Sequence, residues 1–203
     1  MPPLPTQKLL HRTMIIYLHG FRSSPASTKA ELLKKHLSEQ GLAHQFWCEE
    51  LPVDPGRAIE LVESAIAADP DESVLIGSSL GGYYATYLAE KHDLRAILIN
   101  PATHADQTLA PWIGPHTNLY TGEHFELTQG HIMSLSNLWV PILCKPERFW
   151  LVVETGDEIL DYREAVSRYA GARQTVIEGG DHSLRHFPDL MEAMVEFAFP
   201  GKN

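Results

Sequence analysis

Residues 77–81 read Gly-Ser-Ser-Leu-Gly, the G-x-S-x-G spacing that sets a serine on a sharp turn between a strand and a helix. The flanks supply the context this motif needs: the apolar run Ser73–Ile76 ahead of it and a helical stretch, Tyr83–Lys91, behind it. Ser79 holds the central position and is the candidate nucleophile. Glycines are required around it because side chains on so tight a turn would collide with neighbouring backbone.

A serine hydroxyl attacks a carbonyl only when a base takes its proton. Gly179-Gly180-Asp181-His182 follows the last apolar run, Gln174–Ile177, and makes His182 the candidate base, and the acid that later protonates the leaving group. A carboxylate must fix the tautomer of that ring and stabilise the imidazolium formed during attack. Asp157 directly follows the run Phe149–Glu154 and is the candidate, with Glu154, Glu158 and Asp161 as rivals close by in the chain. Charge developing on the carbonyl oxygen calls for two backbone N–H donors. Leu80, next after the nucleophile, supplies one. Phe21, in His19-Gly20-Phe21-Arg22, is the candidate for the other.

The elements that must position these residues alternate along the chain. Met14–Leu18 predicts a buried strand ending at His-Gly, and Thr28–Gln40 places Ala30, Leu33 and Leu37 at helical spacing before Gly41. A weaker strand signal at Gln45–Glu49 precedes a helix through Ala58, Ile59, Val62, Ala65 and Ile66 that ends near Asp69-Pro70. Strands at Ser73–Ile76, Ala96–Asn100, Phe149–Glu154 and Gln174–Ile177 are interleaved with helices at Tyr83–Lys91, Tyr162–Ala170 and about Phe187–Phe197. Such alternation predicts a parallel sheet covered on both faces.

Residues 101–148 break the pattern with prolines, glycines, histidines and scattered aromatics, and the stretch is too long for a simple connection. A cap-like insertion is expected there. Trp112, Tyr120, Phe125, Leu127, Met133, Leu138 and Trp139 within it could line an apolar acyl pocket, pack the cap onto the sheet, or do both. His104, His116, His124 and His131 lack the HxxxH spacing that puts two imidazoles on one helix face, so no metal site is expected.

The bulk properties narrow the function classes. The 203 residues suit one domain, taken as 14–203 with residues 1–13 as a disordered extension. A net charge of −10 with no Lys/Arg cluster argues against a nucleic-acid partner. No run approaches about 18 apolar residues and no signal-peptide core is visible, which predicts a cytoplasmic protein without a membrane span. Cys48 and Cys144, far apart and outside any CxxC motif, read as buried reduced thiols. The oligomeric state is left open.

With Ser79, Asp157 and His182 in that order, the chain resembles the α/β-hydrolase superfamily from Met14 to its C-terminus. The pieces YLHGFRSSP, IGSSLGGYYATYLAE, LINPA, ETGDEILDY and GGDHS resemble the small YqiA-type bacterial esterases. That resemblance implies an α/β-hydrolase fold: a three-layer sandwich with a reduced six-stranded parallel sheet of order 2-1-3-4-5-6 and a short cap after the strand ending at Asn100. It also implies esterase activity without a cofactor. The expected substrates are small-molecule esters with small or medium acyl chains, processed through an acyl-serine intermediate. Acyl thioesters are the alternative substrates, and a non-catalytic binding protein on the same scaffold is the alternative from another class.

Overall fold

Strands that are apolar at every position require cover on both faces, and the chain supplies it with helices on each side. The computed structural model describes residues 13–68 and 73–200. In chain order the elements are β1 (Met14–Leu18), α1 (Thr28–Glu39), β2 (Phe46–Trp47), α2 (Pro55–Ala68), β3 (Ser73–Ser78), α3 (Leu80–His92) and β4 (Arg95–Ile99). There follow α4 (Ala105–Leu109), β5 (Gly114–Thr117), β6 (His124–Leu127), α5 (Gln129–Asn137), β7 (Phe149–Glu154), α6 (Tyr162–Arg168), β8 (Arg173–Ile177) and α7 (Phe187–Ala198).

Six strands make one parallel sheet in the order β2-β1-β3-β4-β7-β8. Because side chains alternate along a strand, each central strand feeds two cores. Ile16, Leu18, Leu75, Leu98 and Leu151 pack with α2, α3 and α6. Ile15, Tyr17, Ile76, Ile97 and Val152 pack with α1 and α7 on the opposite face. Each fully buried side chain of this size is stabilised by roughly 1.5–3 kcal/mol. The three layers hold the C-terminal ends of β3, β4 and β7 in fixed register, and the site is built there.

Several expectations are corrected. The six strands of the parallel sheet follow the expected succession, but two unforeseen strands form inside the cap as an antiparallel hairpin of their own, so that in whole-chain numbering β7 and β8 take the last places in the sheet. The hairpin escapes a reading by apolar runs because Gly-Pro-His-Thr and His-Phe-Glu-Leu are mostly polar and, apart from Leu127, only partly buried or exposed. The second strand shrinks from Gln45–Glu49 to two residues behind a 3₁₀ turn at Ala43–Gln45, as an edge strand paired only with Ile15 and Ile16. Helix α3 starts at Leu80, three residues before the expected Tyr83. The thiols are free but not buried: Cys144 is exposed in the loop before β7, and Cys48 is half-buried.

The expected extension lies outside the described residues except for Thr13, which is buried, and the expected helix end near Asp69 lies outside them as well. Among the described residues no helix is long and apolar enough to cross a membrane.

Candidate active site

Ser79 joins β3 to α3 at φ 57°, ψ −118°, a conformation that costs a non-glycine residue about 1–3 kcal/mol unless its surroundings enforce it. They do so through both peptide groups. Ser79 N–H donates to Ile99 O at 3.0 Å, and its carbonyl accepts from Gly82 N at 2.9 Å and Ala102 N at 3.1 Å. The flanking glycines are steric necessities: a Cβ on Gly81 would sit 2.0 Å from Leu18 O, and one on Gly77 would sit 2.2 Å from Gly81 O. Since the obstacles are backbone, Gly81→Ala is expected to cost about 3 kcal/mol. The check is a shift of the urea midpoint at unchanged slope; an unmoved midpoint would show that the elbow is not close-packed.

The structure brings His182 and Asp157 to this serine. His182 Nε2 lies 3.0 Å from Ser79 Oγ, and His182 Nδ1 lies 2.8 Å from Asp157 Oδ2. The other oxygen, Asp157 Oδ1, accepts from Ile159 N and Leu160 N, both at 2.9 Å, so the carboxylate is held in place. Its side chain is 2% exposed, against 19% for His182. A buried acceptor on Nδ1 leaves Nε2 free to receive the serine proton.

The three rivals have other tasks. Asp161 caps α6, accepting from Arg163 N at 2.9 Å. Glu158 Oε2 accepts from the backbone N–H of His182 at 3.0 Å. Glu154 is fully buried and gathers the histidine loop: its oxygens accept from Asp181 N (2.6 Å), Arg185 N (3.1 Å), His186 N (2.9 Å) and His186 Nδ1 (2.7 Å). Burial works against its charge, but the bonds from His186, Asp181 and Arg185 outweigh it and hold the carboxyl below its ordinary range. Gly180, at φ 70°, is the price of this approach, since a Cβ there would overlap the Glu154 carboxylate.

Asn100 completes the clamp and was not foreseen as a site residue. Its Nδ2 donates to Asp181 O (3.1 Å) and His182 O (3.2 Å), and its Oδ1 accepts from Glu154 N (3.0 Å). The signal in the sequence is a polar residue ending an apolar strand just before Pro101.

The candidate oxyanion donors, Phe21 and Leu80, make no backbone N–H bond to any described residue. The Phe21 loop runs past the nucleophile, for a Cβ on Gly20 would lie 3.2 Å from Ser79 Cβ. Buried His19 anchors that loop: its Nε2 accepts from Leu51 N at 3.1 Å, and desolvation lowers its pKa, keeping the ring neutral. The cap hairpin braces the other side. Arg22 Nε donates to Thr117 O (3.0 Å), Asn118 Nδ2 donates to Ser23 O (2.9 Å), and the Phe21 ring packs edge-on against His116 and Phe125.

Residues 14–199 match an uncharacterised protein family, UPF0227. The chain belongs to that family. A UPF0227 protein of Pectobacterium atrosepticum, ECA1814, is 31% identical over 90 residues, which cover 43% of this chain and 50% of that protein. The match therefore spans about half the length of that relative. Solved structures share the fold over most of both chains. A protein from Agrobacterium vitis S4 is 19% identical with a TM-score of 0.71, covering 92% of this chain and 88% of that one. Mouse alpha/beta hydrolase domain-containing protein 10 is 19% identical with a TM-score of 0.64, covering 90% and 87%. A monoacylglycerol lipase from Paleococcus ferrophilus is 14% identical with a TM-score of 0.65, covering 93% and 94%. The UPF0227 chain thus has an α/β-hydrolase fold.

Two cavities of this UPF0227 site meet at Ser79 and His182. One, of about 250 Å³, is an apolar chamber walled by Leu80, Ala102, Ala105, Leu109, Trp112 and Leu160. The other, of about 540 Å³, is wider and mixed, with Leu32, Leu119 and Phe187 beside the hydroxyls of Ser27 and Thr28 and the charged Arg22, Lys29 and Arg185. The cap aromatics divide between the expected roles: Trp112 lines the chamber, Leu138 and Trp139 pack onto the core, and Met133 is exposed. The cap histidines are engaged separately. His104 stacks on Trp139, His116 bonds Trp112 O, His124 bonds Thr117, and His131 closes the capping box of α5 with Thr128.

Proposed function

We propose that this protein is a serine hydrolase that cleaves carboxylic esters through an acyl-Ser79 intermediate. The observation that carries the reading is the continuous hydrogen-bonded line from Ser79 Oγ through His182 to Asp157, opening on an apolar chamber. His182 Nε2 takes the serine proton as Oγ bonds to the ester carbonyl carbon, and the resulting oxyanion is received by the N–H groups of Phe21 and Leu80. Collapse breaks the bond to the alkoxy oxygen, which leaves with the proton from His182. Water, deprotonated by the same nitrogen, then attacks the acyl carbon and frees Ser79. These steps call for no cofactor. The chamber is sized for small or medium acyl groups, and the monoacylglycerol lipase among the structural neighbours shows that this fold accommodates ester cleavage elsewhere.

Treatment with a fluorophosphonate probe is expected to leave one adduct, located at Ser79 by peptide mass, and none in Ser79→Ala. Folded wild-type protein that resists the probe under conditions labelling an active serine esterase would sink the reading. Matched oxygen ester and thioester substrates, run over increasing acyl length, then separate esterase from thioesterase action.

A further inference from the structure

The wider cavity beside Ser79 presents two cations that meet no carboxylate among the described residues. Among the described residues, the side chain of Arg22 bonds the backbone carbonyl of Thr117, and Lys29 Nζ that of Ser183, at 2.9 Å. Several other cations do meet acids: Lys91 meets Glu63, Lys145 and Arg148 meet Asp93, and Arg185, on the same cavity, meets Asp181 at 2.6 Å. In a chain with a net charge of −10, two cations with no carboxylate in ion-pair reach among the described residues line one cavity beside the nucleophile, where an anion would find two charged donors.

The surrounding groups suit an anion as well. Ser27, 6% exposed, lies in the same wall with its hydroxyl unpartnered, and it leaves the N-terminus of α1 without a side-chain cap. Desolvation lowers the Lys29 pKa although Asp181, Glu154 and Asp157 oppose it, so a further anion at this amine would relieve an unfavourable charge. Of the two acids that line the cavity, Asp181 is paired with Arg185 and Glu158 keeps its charge. Glu158 accepts from His182 N, and Asp181 accepts from Ser183 and Arg185.

We propose that the wider cavity binds an anionic group, a carboxylate or a phosphate, on the alcohol half of the ester, with Arg22 and Lys29 as its binding residues. The assignment rests on the ester-hydrolase reading, in which the smaller, more apolar chamber takes the acyl half and leaves the wider cavity to the leaving alcohol, with Arg22 at the junction of the two. Substrates of this site are therefore amphiphilic esters: apolar on the acyl side and negatively charged beyond the alkoxy oxygen.

The test compares 4-nitrophenyl butyrate with its ring-carboxylated and ring-phosphorylated counterparts. Wild-type protein is expected to favour an anionic ester in kcat/KM by about tenfold, the effect of a charged hydrogen bond. The preference should shrink with added salt. In Arg22→Gln and Lys29→Gln the anionic-to-neutral ratio should fall toward one, chiefly through KM, whereas Lys29→Arg should keep it. The anion giving the larger preference identifies the ligand class. A wild-type ratio at or below one, or variants that slow all three esters equally, overturns the proposal. If no ester turns over, the hydrolase reading fails, and the anion site is then decided by calorimetric titration with inorganic phosphate. Binding weakened about tenfold in the double Gln variant supports the site; equal binding, or none to wild type, rejects it.

Discussion

Ser79→Ala is expected to lower ester turnover by about 10⁶-fold, and Asp157→Asn by about 10⁴-fold, while Asp161→Asn stays within a few-fold of wild type. The three values follow from what each group touches. Without Oγ there is nothing for His182 to deprotonate. Asn at 157 keeps the shape but can present an amide to Nδ1, which favours the tautomer with its proton on Nε2, where it cannot accept from serine. Asp161 sits only four residues on, yet its oxygen is spent on capping α6, a task that Asn performs about as well. Steady-state kinetics on the three variants, with circular dichroism to confirm folding, decide the matter. Comparable losses at 157 and 161 would reject Asp157 as the partner of His182.

Glu154→Gln is expected to destabilise the fold by about 3 kcal/mol and to slow turnover by about 10²-fold. One carboxylate oxygen serves Asp181 N and Arg185 N, and the other serves His186 N and Nδ1, so an amide must turn its NH₂ toward one pair of donors. The loop that loses its acceptor carries His182, and a displacement of about 1 Å at the base is enough for that loss of rate.

A pH dependence accompanies the substitution. The folded carboxyl lies below its ordinary value of 4.5, so its stabilising contribution is complete above that value and is lost as pH falls through the lower folded value. Wild type should therefore lose stability on acidification faster than Glu154→Gln over that window, and the gap between them should narrow. Urea midpoints at neutral pH and at a series of values below 4.5 measure it. A constant gap would show that Glu154 is protonated throughout.

The site was legible in the sequence to the degree that its chemistry is local. Ser79, Leu80 and the required glycines fall within five consecutive residues, and the elbow they form depends on little beyond those residues and the strand before them. Asp157 was harder, because Glu154, Asp157, Glu158 and Asp161 are all carboxylates in one loop, and spacing does not reveal which one a histidine 25 residues later will meet. In the sequence Glu154 and Asn100 end apolar strands, and Glu154 stands there as one more rival carboxylate. Their polar groups matter only because β4 and β7 are neighbours in the sheet and share the His182 loop.

The cap illustrates the same division. Its length and composition marked 101–148 as an insertion, but the β5–β6 hairpin is short, polar and exposed, and it is held by contacts to Phe21, Arg22 and Ser23 far away in the chain. No periodicity within it could announce those contacts.

By itself, then, the sequence determined the alternation of strands and helices, the covered parallel sheet and the serine elbow, since apolar periodicity and backbone sterics act between near neighbours. Tertiary structure decided which carboxylate meets His182, how Glu154 and Asn100 clamp its loop, and that Arg22 and Lys29 line one cavity with the nucleophile. Those outcomes depend on distances between residues as far apart as Ser79 and His182, 103 positions in the chain, and only the packing of the sheet sets such distances.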